Sequence, residues 1–179
     1  MRPFGVVLIC GLSFPFLTAG DQPKSEWKKF TSKKGRFTVL IPGTPEQKAL
    51  PAESDFGKGV LHMNQAEAGG TMYGANYSDF PAKIKKMPIK QLLDSSRDGA
   101  IANLKGKLAG EKDIKLGKYF GREVQIEVSG GKRLFWARVF LVEQRLYQVV
   151  IFGTKKAATS KQADRFLGSF KLIPPKNED

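Results

Sequence analysis

The sequence predicts an α+β fold: an antiparallel sheet of about six to seven strands with helices packed on it as an α/β/α sandwich. Three observations carry that expectation. Short apolar runs follow one another across Gly-rich turns, which suits hairpins and therefore an antiparallel sheet. One long segment, Pro88 to about Lys105, repeats its apolar residues on a helical period. The chain has 179 residues, 41% of them hydrophobic and 11% aromatic, enough to bury one core without cross-links.

Residues 1–20 read as a cleavable secretory signal. Met1-Arg2 is a basic start, Val6 to Leu17 is apolar, and the small residues Thr18, Ala19 and Gly20 follow. The apolar run is shorter than the roughly 20 residues that span a bilayer. Cys10 lies inside that run rather than at its end, which argues against a lipid anchor. A mature chain starting near Asp21 has no cysteine and no transmembrane segment, so a periplasmic or secreted location is expected.

Residues 21–34 are polar and Lys-rich and read as a leader docked by Trp27 and Phe30. A single globular domain is expected over residues 35–173. Its first strand, Phe37 to Ile41, stops at Pro42-Gly43-Thr44-Pro45, because proline fixes φ and lacks a donor. Residues 46–58, with Pro51 and Gly57, read as a loop. Val60–Glu67 and Thr71–Phe80 form a hairpin around Ala68-Gly69-Gly70.

The helix follows. Ile89, Leu92, Leu93, Ser96, Ala100, Ile101 and Leu104 make one continuous stripe. Pro88 suits its first position and Gly106 the left-handed position after its end. Val124, Ile126 and Val128 alternate with polar residues in a one-sided strand, and Gly130-Gly131 suits a tight primed turn. Leu134–Val142 and Leu146–Phe152 are apolar on both faces, as central strands are. Thr159-Ser160-Lys161-Gln162 has the form of a capping box opening a second helix, whose inward face is Ala163, Phe166 and Leu167. A closing strand runs from Phe170 to Ile173, and residues 174–179 read as a disordered tail beginning at Pro174-Pro175.

Three stretches of this order resemble the PsbP-like proteins, among them small exported bacterial proteins of the DcrB type. They are Gly35-Arg36-Phe37-Thr38-Val39 running into Pro42-Gly43-Thr44-Pro45, Arg145-Leu146-Tyr147-Gln148-Val149 with Gly153, and Ala163 through Leu172. The resemblance covers most of residues 27–173 and implies a PsbP-like sandwich. It also implies a binding or assembly role, since such proteins share no active site. The matching motifs are core residues and turn formers, so they speak to fold more than to chemistry.

The residues themselves offer little for catalysis. His62 is the single histidine and has no second histidine to work with. Asp79, at a strand end, or another of the acids is what a small periplasmic hydrolase would be built around. Glu123 and Glu127 share a strand face but stand about 13 Å apart, beyond the roughly 5–9.5 Å of paired glycosidase carboxylates. Gly57-Lys58-Gly59 lacks the flanking strand and helix of a phosphate loop. Asn76-Tyr77-Ser78 fits a glycosylation sequon but falls in a strand. No catalytic residue, metal site or cofactor is therefore assigned.

Charge is the stronger signal. The formal net charge is +13, from 22 lysines and 8 arginines against 17 acids. A lysine-rich surface attracts anions generally, whereas sequence-specific nucleic-acid readers favour arginine. Export also puts the chain in the wrong compartment for nucleic acid. Adhesion to anionic envelope surfaces is expected to be purely electrostatic, because no helix combines a basic face with an exposed aromatic one. Arg133, Arg138 and Arg145 lie in or beside the two most apolar strands and need a carboxylate, carbonyl or aromatic partner. One outcome is a helix-to-sheet ion pair. The other is a ligand-binding face formed by Trp136, Arg138, Arg145 and Tyr147. The reading is an exported, non-enzymatic binding or assembly module of the cell envelope, its partner an envelope protein or anionic surface. The hydrolase and the surface-adhering domain are the alternatives.

Overall fold

The computed structural model describes residues 26–54, 57–82, 84 and 87–174. The expected signal, residues 21–25 of the expected leader and residues 175–179 of the expected tail lie outside the described residues. Ten strands and three helices follow in the order β1 (Trp27–Ser32), β2 (Phe37–Pro42), β3 (Glu46–Ser54), β4 (Gly57–Ala68), β5 (Thr71–Asp79), α1 (Ile89–Leu104), β6 (Lys107–Leu116), β7 (Tyr119–Val128), β8 (Arg133–Val142), β9 (Arg145–Thr154), α2 (Lys155–Ala158), α3 (Lys161–Gly168) and β10 (Lys171–Leu172).

Seven strands form one antiparallel sheet in the order β3-β4-β5-β9-β8-β7-β6, and β1-β2-β10 form a second, smaller one. The fold class is thus the expected one, with the closing strand placed in a separate sheet. The large sheet has a core on each face. On one face Leu92, Leu93, Ala100 and Leu104 of α1 pack on Val124, Ile126, Phe135, Val139 and Val150. On the other, Phe37, Val39 and Ile41 of β2 and Phe166 and Leu167 of α3 cover Tyr73, Tyr77, Trp136, Tyr147 and Ile151. Alternation explains both, since successive residues of β8 and β9 point to opposite layers.

Several boundaries differ from the sequence reading. Residues 27–32 of the polar leader form β1, although Trp27 and Phe30 do anchor it: Trp27 sits edge-on to Tyr73 at 5.1 Å and Phe30 to Phe37 at 6.2 Å. Most of the expected 46–58 loop is β3, where Pro51 is tolerated because this is an edge strand. Strand β6 is a further element the sequence did not announce. At the end of α1 it is Lys105, not Gly106, that takes the left-handed conformation (φ 48°). Gly106 is needed for space instead, since a Cβ there would lie 2.4 Å from Ile126 Cγ2. The β7–β8 connection is a four-residue loop, Ser129–Lys132, with three successive residues at positive φ, rather than a two-residue primed turn. The cap of α3 is Ser160, whose hydroxyl accepts from Ala163 N–H at 3.3 Å, so Gln162 closes no capping box with Thr159.

Candidate functional site on the β6–β9 face

Register sets the site. On the face of the large sheet opposite α1, three rows of directly paired residues cross β6, β7, β8 and β9: Gly110–Gln125–Trp136–Ile151, Lys112–Glu123–Arg138–Val149 and Ile114–Gly121–Phe140–Tyr147. Arg145 stands one step further along β9, opposite Val142. All four expected ligand-binding residues, Trp136, Arg138, Arg145 and Tyr147, therefore share this face.

The structure does not gather them into one cleft. Tyr147 is buried and donates its hydroxyl to the Gly35 carbonyl at 2.7 Å, tying β9 to the β1–β2 turn. Burial pushes its pKa up. Phe170 stacks on Phe140 and sits edge-on to Tyr147, so that row is filled with aromatic core. Arg145 forks onto Asp79 with Nε–Oδ1 at 2.6 Å and Nη2–Oδ2 at 2.7 Å. Its remaining arm donates to the Lys34 carbonyl at 2.8 Å, and its guanidinium lies 4.6 Å from the Tyr77 ring centre. The Asp79 pair raises the Arg145 pKa well above its ordinary value.

The middle row has a different character. Glu123 is buried, yet it is ionised: Arg138 Nε reaches Oε2 at 2.7 Å and Lys112 Nζ reaches Oε1 at 3.0 Å. Burial alone would raise its pKa, but the two cations overcome it and the net shift is downward. Arg138 commits only Nε to a hydrogen bond or ion pair among the described residues, and its side chain is 28% exposed. In the adjacent row the indole N–H of Trp136 is buried with no hydrogen-bond partner among the described residues. Phe140 closes the far side by lying over Gly121, where a Cβ would come within 2.4 Å of the ring.

The remaining sequence candidates have structural partners. His62 stacks on Tyr77 at 4.5 Å. Glu127 takes Lys155 Nζ at 2.8 Å. Arg133 lies 3.9 Å over the Phe152 ring. Asn76 is buried and accepts from the Asn64 backbone N–H, so its sequon is inaccessible in the folded chain. The helix-to-sheet ion pair exists, but it belongs to none of the three arginines proposed for it. Buried Arg122 reaches across to Asp94 of α1 and also holds Asp113 at 3.1 Å. The signal was its place in line with Val124 and Ile126 on the inward side of β7.

Among the described residues there is no group of three or more His, Cys, Asp or Glu side chains that could hold a metal. No helix among them is long and apolar enough to cross a membrane.

No family model matches the chain, and no curated protein matches it. Among solved structures it is similar to the solution structure of cyanobacterial PsbP (CyanoP) from Synechocystis sp. PCC 6803. The TM-score is 0.58 at 10% identity, over 89% of this chain and 99% of that one. The chain has a PsbP-like fold.

Proposed function

We propose that this is an exported, non-enzymatic binding module of the cell envelope that takes an acidic or carbonyl-rich partner at the Trp136–Arg138 part of the β6–β9 face. The observation that carries the reading is the half-used Arg138 guanidinium. Its Nε is spent on Glu123, which fixes the plane of the fork, while its Nη donors are left for an outside acceptor. The indole N–H of Trp136 on the same strand face is buried without a partner among the described residues, so Trp136 contributes packing beside Arg138 rather than a donor open to the outside. Arg145 and Tyr147 contribute by holding the β1–β2 turn beside that face.

The acids favour binding over hydrolysis. Both Asp79 oxygens are occupied by Arg145, and Glu123 is kept ionised by two cations and so is not set up to donate a proton near neutral pH. Export rests on the layout of residues 1–20, and the PsbP-like fold agrees with a binding or assembly role. The test is affinity capture of the tagged protein from its own envelope, comparing wild type with Arg138→Ala and Trp136→Phe. Loss of one specific partner in both variants, with melting unchanged, supports the reading. An identical set of captured proteins in all three overturns it.

A further inference from the structure

The β6–β7 hairpin ends in a two-residue turn, Gly117-Lys118, with Gly117 at φ 59° as the first turn residue. Phe120, just beyond it, is 51% exposed, more than any other large hydrophobic among the described residues. A lysine lies over its ring, and a second lies over the ring of the preceding residue. Lys115, its direct cross-strand partner, holds Nζ 4.9 Å from the ring centre, and Lys118 Nζ lies 5.4 Å over Tyr119.

A single exposed phenylalanine is ordinary on a protein surface. Its position in the fold is what gives this one meaning. Arg145 begins β9 and donates to the Lys34 carbonyl, which puts the β1–β2 turn at the same end of the large sheet as the β6–β7 turn, the turn on the face opposite α1 and Phe120 on the α1 side of that end. Strand β9 is two places from β7, about 10 Å at the usual strand spacing. That turn carries exposed Lys33, Lys34 and Arg36. At this end Asp79 is paired with Arg145 and exposed Asp113 with Arg122, and exposed Glu143 of the β8–β9 turn is a further acid set against the cations.

The geometry points to this end of the sheet as a docking surface for an anionic phospholipid membrane, the lysines at the headgroups and the Phe120 ring at the boundary with the acyl chains. Lysine stems can lie along apolar surface while their ammonium groups stay in water, and aromatic rings are favoured at that boundary. A soluble polyanion would satisfy the cations but offers the ring nothing. The chain's formal charge of +13 supplies long-range attraction. This goes beyond the purely electrostatic adhesion that composition suggests, and it is independent of the Trp136–Arg138 surface.

The experiment is co-sedimentation of the protein, as its own cells process it, with vesicles of phosphatidylcholine alone or mixed with phosphatidylglycerol. Wild type should bind only the mixed vesicles. Phe120→Ala should weaken binding about tenfold, the worth of one buried aromatic side chain. Lys115→Gln and Lys118→Gln should each weaken it about fivefold. Phe120→Trp should bind like wild type and shift its fluorescence to the blue on binding. Leu108→Ala, at the other end of the hairpin, should change nothing. Wild-type-like binding by Phe120→Ala overturns the inference, as does binding indifferent to the anionic lipid. So does an unshifted Phe120→Trp emission with competition by a soluble acidic polysaccharide, which would mean charge alone is read.

Discussion

Arg145 and Asp79 face each other in direct register across β9 and β5, and the guanidinium fork meets both carboxylate oxygens. The same arginine reaches the Lys34 carbonyl, so one side chain joins the large sheet to the β1–β2 turn.

Replacing it tests that link. The Asp79 carboxylate is 56% exposed, which screens the pair, so Arg145→Ala should cost about 1 kcal/mol and lower Tm by a few degrees. Arg145→Lys should recover little, because an ammonium cannot make the two-pronged contact. Thermal melting of both variants checks this. A lysine variant as stable as wild type would show that charge, not geometry, matters here.

The face opposite the candidate site is tested through α1. Leu93 is buried against the large sheet, so Leu93→Asp should prevent stable folding by placing an unpaired carboxylate in the core. Circular dichroism and melting would show it directly. The milder Leu93→Ala should cost about 2–5 kcal/mol.

Acid should loosen the protein through two carboxylates. Glu123 and Asp94 both have native pKa values below their ordinary 4.5 and 3.8. For Asp94 the cause is first the Arg122 hydrogen bond; for Glu123 burial opposes the shift, and the hydrogen bonds from Arg138 and Lys112 prevail. The unfolded chain therefore takes up protons before the native one as pH falls. Their stabilisation is complete above pH 4.5 and is lost as the pH drops through the lowered native values. Tm measured from neutral to strongly acid pH should fall steeply below that point, and less steeply in Glu123→Gln.

Two glycines should respond in opposite senses to alanine. Gly121→Ala would push a methyl group to 2.4 Å from Phe140 Cδ1 and from the Val139 carbonyl, and should cost about 1–3 kcal/mol. Gly168→Ala, at the end of α3 with nothing within 4 Å, should be neutral or stabilise by up to about 1 kcal/mol. Denaturant unfolding of the pair separates crowding from backbone preference.

What the sequence revealed follows burial. Strands β8 and β9 and helix α1 were legible because core packing on both faces, or on one helical stripe, leaves a periodic apolar pattern. The edge strands β3 and β6 were not. Most of the side chains described for them are exposed, so the backbone ladder holds them and no alternation is written. Strand β1 hides for a related reason, its two aromatic residues being three apart instead of two. At the site, the Glu123–Arg138 pairing could have been counted back from Gly130-Gly131, since the longer loop leaves the register unchanged. Asp79–Arg145 could not, because it needs the β5–β9 pairing, which no local signal specifies.

The small sheet joins the two ends of the described chain: β2 is flanked by β1 on one side and by β10 on the other, with Phe37 opposite Leu172. That closure has a consequence for when the protein can fold. The β1–β2 hairpin can form early, but the third strand of its sheet and the α3 residue Phe166 that covers Tyr73 arrive only with residues 161–172. Contacts this distant along the chain slow the search for the native state. A chain passing through a narrow pore would thus stay threadable until β10 had emerged, and would lock only once β1, β2 and β10 had reached the same side.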